Sequence, residues 1–69
     1  VSKKYIVQIR RNSRSFFITK TCEMTWMKDH AWAFDSKEEI KEEIKNNRKF
    51  YFAVGDWYYI VKYEDAKNH

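Results

Sequence analysis

The fold turns on residues 49–63, Lys49-Phe50-Tyr51-Phe52-Ala53-Val54-Gly55-Asp56-Trp57-Tyr58-Tyr59-Ile60-Val61-Lys62-Tyr63. Aromatic and β-branched residues crowd both sides of Gly55-Asp56, and a Gly-Asp pair between two such runs reads as a two-residue hairpin turn. With that turn as centre, Val54 faces Trp57, Phe52 faces Tyr59 and Phe50 faces Val61 on one side of the ribbon. Ala53 then faces Tyr58, Tyr51 faces Ile60 and Lys49 faces Lys62 on the other. The stretch therefore predicts a second hairpin, because an earlier one is already visible.

That earlier hairpin lies in residues 5–22. Tyr5, Val7 and Ile9 alternate with Ile6, Gln8 and Arg10, and Phe16 and Ile18 alternate with Phe17 and Thr19. Asn12-Ser13 supplies the turn. Centring on it sets Ile9 opposite Phe16 and Val7 opposite Ile18, so the apolar sets share a face, as a correct register requires. It also sets Arg11 opposite Arg14, a repulsive pair for which a loose, solvated loop is expected.

Between the hairpins runs Asp35-Ser36 followed by KEEIKEEIK. Ser36 or Asp35 is an N-cap, Glu38 and Glu39 complement the positive end of the helix dipole, and asparagine closes the far end. The helix is predicted from residue 37 to 46 or 47. Its apolar stripe is only Ile40 and Ile44, too narrow to stand alone, so it must dock on a sheet. The reading is one α+β domain over residues 1–69, ββαββ, with one antiparallel sheet of about four strands and a single helix packed on one face. The polar residues 64–69 are expected to fray.

Composition agrees. The chain has no leucine, no proline and one glycine, and its 13 aromatic residues supply most of the core bulk. A length of 69 residues gives one small core and no room for a deep catalytic pocket. Cys22 is the only cysteine, which excludes an internal disulfide; Cys22, His30 and His69 fall short of the four ligands of a structural zinc, so no metal is expected. No apolar run approaches the roughly 20 residues that span a bilayer, no signal-peptide pattern is present, and no membrane association is expected. These features are read as those of a cytoplasmic protein.

The net charge of +4 is unevenly spread. Residues 1–20 hold six basic residues and no acid, whereas the remainder is slightly acidic. Arg10, Arg11 and Arg14 surround the first turn and mark it for an anionic partner, an acidic protein surface or phosphates. In the predicted sheet the helix covers Val7, Ile9, Phe16, Ile18, Phe50, Phe52, Val54, Tyr59 and Val61. The opposite face then carries Ile6, Phe17, Tyr51, Tyr58 and Ile60 interleaved with Arg10, Lys49 and Lys62, an uncovered aromatic and basic surface of the kind that marks a contact site. Met24, Trp26, Met27 and Trp32 read either as a loop mini-core or as an exposed anchor, with Trp26 and Met27 as partner-binding residues. Cys22, Asp29 and His30 contain the groups of a nucleophile, a base and an orienter, but nothing in the spacing fixes their geometry. A small apolar residue and a loop histidine are the plainer readings. No glycine-rich loop is available to cradle a phosphate. No enzymatic activity, cofactor or small-molecule substrate is expected.

The layout of Phe16-Phe17-Ile18-Thr19, Thr25 and Ala31-x-x-Phe34-Asp35-Ser36-Lys37-Glu38-Glu39-Ile40 resembles small proteins of unknown function from phages and prophages of Gram-positive bacteria. The likeness covers about residues 5–60; Ile40 replaces the alanine common in such proteins, and the Trp-Met loop lies outside the pattern. The resemblance implies a non-enzymatic phage accessory protein in the cytoplasm of a bacterial host, binding a host or defence protein and inhibiting its function. Two alternatives stand beside it: a single-stranded nucleic-acid binder using the basic aromatic sheet face, and a structural homodimer subunit.

Overall fold

Alternation and turn chemistry act together in the first hairpin. In the computed structural model, which describes residues 4–55 and 57–66, strand β1 (Tyr5–Arg11) pairs antiparallel with β2 (Arg14–Ile18). Ile9 faces Phe16 and Arg11 faces Arg14, the register expected. The turn is tighter than anticipated: Asn12 and Ser13 both adopt positive φ, 52° and 65°. Two consecutive left-handed residues match the strands' own twist, and asparagine accepts that conformation more readily than most residues. The arginine pair is therefore held by a two-residue turn, not relieved by a loose loop.

Residues 49–54 depart from the predicted strand. Helix α1 (Lys37–Asn46) forms where the caps place it: the Ser36 hydroxyl accepts from Glu39 N–H at 3.2 Å, and the Glu39 carboxylate reaches back to Asp35 N–H at 3.1 Å. Asn47 ends it and at once starts α2 (Arg48–Val54), its side-chain oxygen accepting from Phe50 N–H at 3.2 Å. Gly55, at φ 71°, closes α2 through its N–H to Tyr51 C=O. Phe50 and Val54 are four apart and share the buried helix face, whereas Phe52, which a strand would have buried beside them, is 69% exposed. Of the predicted Gly55-Asp56 turn, only Gly55 lies within the described residues.

The sheet nevertheless has four antiparallel strands, in the order β3-β2-β1-β4, where β3 is Met24–Thr25 and β4 is Tyr58–Lys62. The fold is α+β with two helices instead of one. β4 pairs with β1, Ile6 facing Val61 and Val7 facing Ile60. This register is the reverse of the predicted face assignment: Tyr58 and Ile60 join Val7 and Ile9, whereas Tyr59 and Val61 fall on the other side. Beyond Gln8 and Phe17, residues 32–34 bridge the ends of β1 and β2. Trp32 N–H donates to Ile18 C=O at 2.9 Å, and Tyr5 and Phe34 exchange two backbone bonds of 2.8 Å.

The helices cover the front face of the sheet. Val7, Ile9 and Ile18 pack there with Phe34, Ile40, Phe50 and Val54, and half-buried Trp32, Ile44, Tyr58 and Ile60 complete the cluster. Trp32, Phe34 and Phe50 form its aromatic centre, with ring centroids 4.5–6.0 Å apart. The rear face, predicted to be open, holds a second and smaller cluster of Ile6, Phe17 and Ala66 with Ala31, Val61 and Tyr63 against it. The 3-10 turns Lys28–His30 and Tyr63–Asp65 lie over this side. Residues 63–66 are thus docked; the fraying expected of residues 67–69 lies outside the described residues.

Candidate partner-binding surface

The tip of the first hairpin brings charge and exposed aromatic surface together. Arg10, Arg11 and Arg14 are all exposed. Among the described residues no carboxylate forms an ion pair with any of them; the one salt bridge joins Lys4 to Asp35 at the far end of β1. The described carboxylates of the helix and the tail lie elsewhere: Glu38, Glu39, Glu42 and Glu43 on α1, Glu64 and Asp65 beyond β4.

A tryptophan stands on each side of this tip. On the β2 side, Arg14, Ser15, Phe16 and Trp26 line a cleft of about 370 Å³. Trp26 follows directly on the two-residue β3, which ends too early to cover β2, and is 60% exposed. On the β4 side, Ile9, Arg10, Arg11, Val54, Gly55 and Trp57 line a smaller cleft of about 130 Å³, and Trp57 is 80% exposed. Across the end of the sheet the order is tryptophan, arginines, tryptophan. Indole and guanidinium groups are the side chains that most often dominate binding energy at protein interfaces.

The remaining predicted contact residues divide. Met27 is exposed beside Trp26, so this part of the Trp-Met loop faces outward, whereas Trp32 packs into the core. Tyr51 is exposed, but on the outer side of α2, edge-on to Phe52 at 5.5 Å, and does not belong to a sheet face. Phe17 is fully buried under Ala66 and Ala31 and presents no surface to a partner. Tyr58 and Lys62 are half-buried on the front of β4 because of the reversed register, and Tyr58 packs against the main core. The structure does not unite Tyr51, Tyr58, Phe17 and Lys62 in one site. Trp57, Phe16 and Phe52 were missed. The signal for Trp57 was available, since an indole directly after the Gly55-Asp56 turn has little backbone around it to bury against.

The nucleophile-like trio is not assembled as a site. Cys22, at φ 66°, packs half-buried against the main core, and Asp29 accepts a hydrogen bond from the Tyr63 hydroxyl. That bond, with desolvation and the carboxylate's charge, raises the Tyr63 hydroxyl above the usual tyrosine range. No helix among the described residues is long and apolar enough to cross a membrane. Set against protein-family models, curated proteins and solved structures, the chain matches none.

Proposed function

We propose that this chain is a non-enzymatic binding module that docks a protein partner through the Trp26–Arg14–Arg11–Arg10–Trp57 band at the tip of its first hairpin. The observation that carries the reading is the pair of exposed indoles flanking three arginines that have no carboxylate partner among the described residues. Like charges held face to face at Arg11 and Arg14 by a tight turn gain when an acidic surface covers them. The indoles lose exposed apolar area in the same event. The likeness to phage accessory proteins supports a host or defence protein as the partner and inhibition as the outcome. A second reading, single-stranded nucleic acid, draws on the cleft between Trp26, Phe16 and Arg14, where a base would stack while the guanidinium holds a phosphate.

The test is capture from bacterial lysate by the unmodified chain and by a Trp26→Ala/Arg14→Ala variant, with and without nuclease. The expected result is a protein retained by the unmodified chain after nuclease treatment and lost by the variant. Capture abolished by nuclease transfers the band to nucleic acid. Equal capture by both chains removes it from binding altogether.

A further inference from the structure

We infer that β4 is a dimerisation strand: its outer edge pairs antiparallel with β4 of a second copy about a two-fold axis at Ile60, joining two sheets into one. In the order β3-β2-β1-β4 this strand has a neighbour on one side only. Tyr63 N–H donates to Lys4 C=O at 2.8 Å, so its backbone groups point toward β1. Stepping back two residues at a time, those of Val61 and Tyr59 do the same, and those of Tyr58, Ile60 and Lys62 point outward. Proteins blunt such edges with short strands, proline, bulges or inward charges. The β3 edge is blunted by its length of two residues. β4 has five residues, no proline, and a single lysine at its end.

The sequence of β4, Tyr58-Tyr59-Ile60-Val61-Lys62, is complementary to itself in this register. Ile60 meets Ile60 of the second copy, Tyr59 meets Val61, and Tyr58 meets Lys62, so no like charges face one another. Aromatic against β-branched is a favourable cross-strand pair, and a lysine stem lies well along a tyrosine ring.

Charge fixes the direction. Beside the Tyr58 end of β4 lie Trp57, Arg10 and Arg11; beyond the Lys62 end the turn Tyr63–Asp65 exposes Glu64 and Asp65. Antiparallel pairing brings the basic end of each copy toward the acidic end of the other, twice, whereas parallel pairing would set like ends together. The Arg14–Phe16–Trp26 clefts stay on the outer flanks of the joined sheet, whereas Arg10, Arg11 and Trp57 turn toward the second copy, so in the dimer a protein partner engages the Trp26–Arg14 half of the band.

Two measurements on the intact chain test this. Sedimentation equilibrium over a range of concentrations is expected to show a monomer–dimer equilibrium. An isotope-filtered NMR experiment on a mixture of labelled and unlabelled chains is expected to show Tyr59 Hα close to Val61 Hα of the other copy, the short contact of a non-hydrogen-bonded pair. Tyr58→Lys sets two ammonium groups against each other at both ends and is expected to weaken dimerisation by about tenfold; adding Lys62→Glu is expected to restore it. Trp26→Ala/Arg14→Ala is expected to leave the dimer intact, which separates this inference from the partner-binding reading. A monomer at every concentration, or a dimer lacking the Tyr59–Val61 contact, overturns the inference. So does a double variant that folds yet dimerises no better than Tyr58→Lys alone. Where Tyr58→Lys does not fold, the contact in the unmodified chain decides.

Discussion

The two faces of the sheet are closed by different means. The front lies under two capped helices that deliver Ile40, Phe50 and Val54 as regularly spaced knobs. Among the described residues no α-helix lies over the rear; Ile6 and Phe17 are covered by two small residues, Ala31 and Ala66, and by Tyr63. That cover is held by one cation. Lys28 Nζ donates to Tyr63 C=O at 3.3 Å and to Ala66 C=O at 3.0 Å, and lies 4.7 Å from the centre of the Tyr63 ring. A sheet face can thus be shut by irregular chain when a charged donor satisfies the carbonyls that a helix would have satisfied internally.

The sharpest way to break this comparison is to empty each face in turn. Phe50→Ala at the front and Phe17→Ala at the rear each remove a fully buried ring, and each is expected to cost about 3–5 kcal/mol. That is of the order of the whole stability of a small domain, so urea denaturation should find both variants largely unfolded. A Phe17→Ala variant that loses under about 1 kcal/mol would mean that the rear is mere surface.

A smaller effect separates the faces. Lys28→Met keeps the length of the side chain and removes its charge. Loss of charge-assisted bonds to two carbonyls is expected to cost about 1–3 kcal/mol. Hydrogen exchange should quicken at the Tyr63 and Ala66 amides and stay slow along α1. Uniform quickening throughout would show the two faces to be one cooperative unit.

The smallest effect is a titration. The Tyr63 hydroxyl, bonded to Asp29, ionises above the usual tyrosine range, so the fold holds its proton more tightly than the unfolded chain does. The stabilisation is complete below the ordinary tyrosine pKa and is lost as pH rises through the raised value. Ultraviolet difference titration against Tyr63→Phe should show Asp29→Asn bringing the midpoint down. An unmoved midpoint would leave Asp29 no part in the rear cover.

How much of this was legible in the sequence follows from where local signals agree. In the first hairpin Asn12-Ser13 and the alternation around it point to one register, and α1 was bounded by Ser36 and by asparagine at its end. Residues 49–54 satisfy two periods at once: Phe50, Phe52 and Val54 fit a strand, and Phe50, Ala53 and Val54 fit a helix. What decided between them was Asn47 as an N-cap and Gly55 as a helix stop, both visible but assigned to other tasks. With that strand gone, β4 changed partner, and its side chains exchanged faces. The arginine cluster and Trp26 were legible as exposed candidates because they depend on local runs alone. The burial of Phe17 was not, because Ala31 and Ala66 lie far from it along the chain and follow no period.

The place of β1 between β2 and β4 also sets an order of assembly. Its pairing with β2 closes across Asn12 and Ser13, a local event of the kind completed in about 1–10 μs. Its pairing with β4 must bring Tyr5 to Lys62 across nearly the whole chain, and the closure entropy of that loop is met only after α1 and α2 have folded the intervening residues short. An inner strand of the finished sheet, β1, therefore waits with one edge open, and β4, the last strand to arrive, is the one that turns it into the interior.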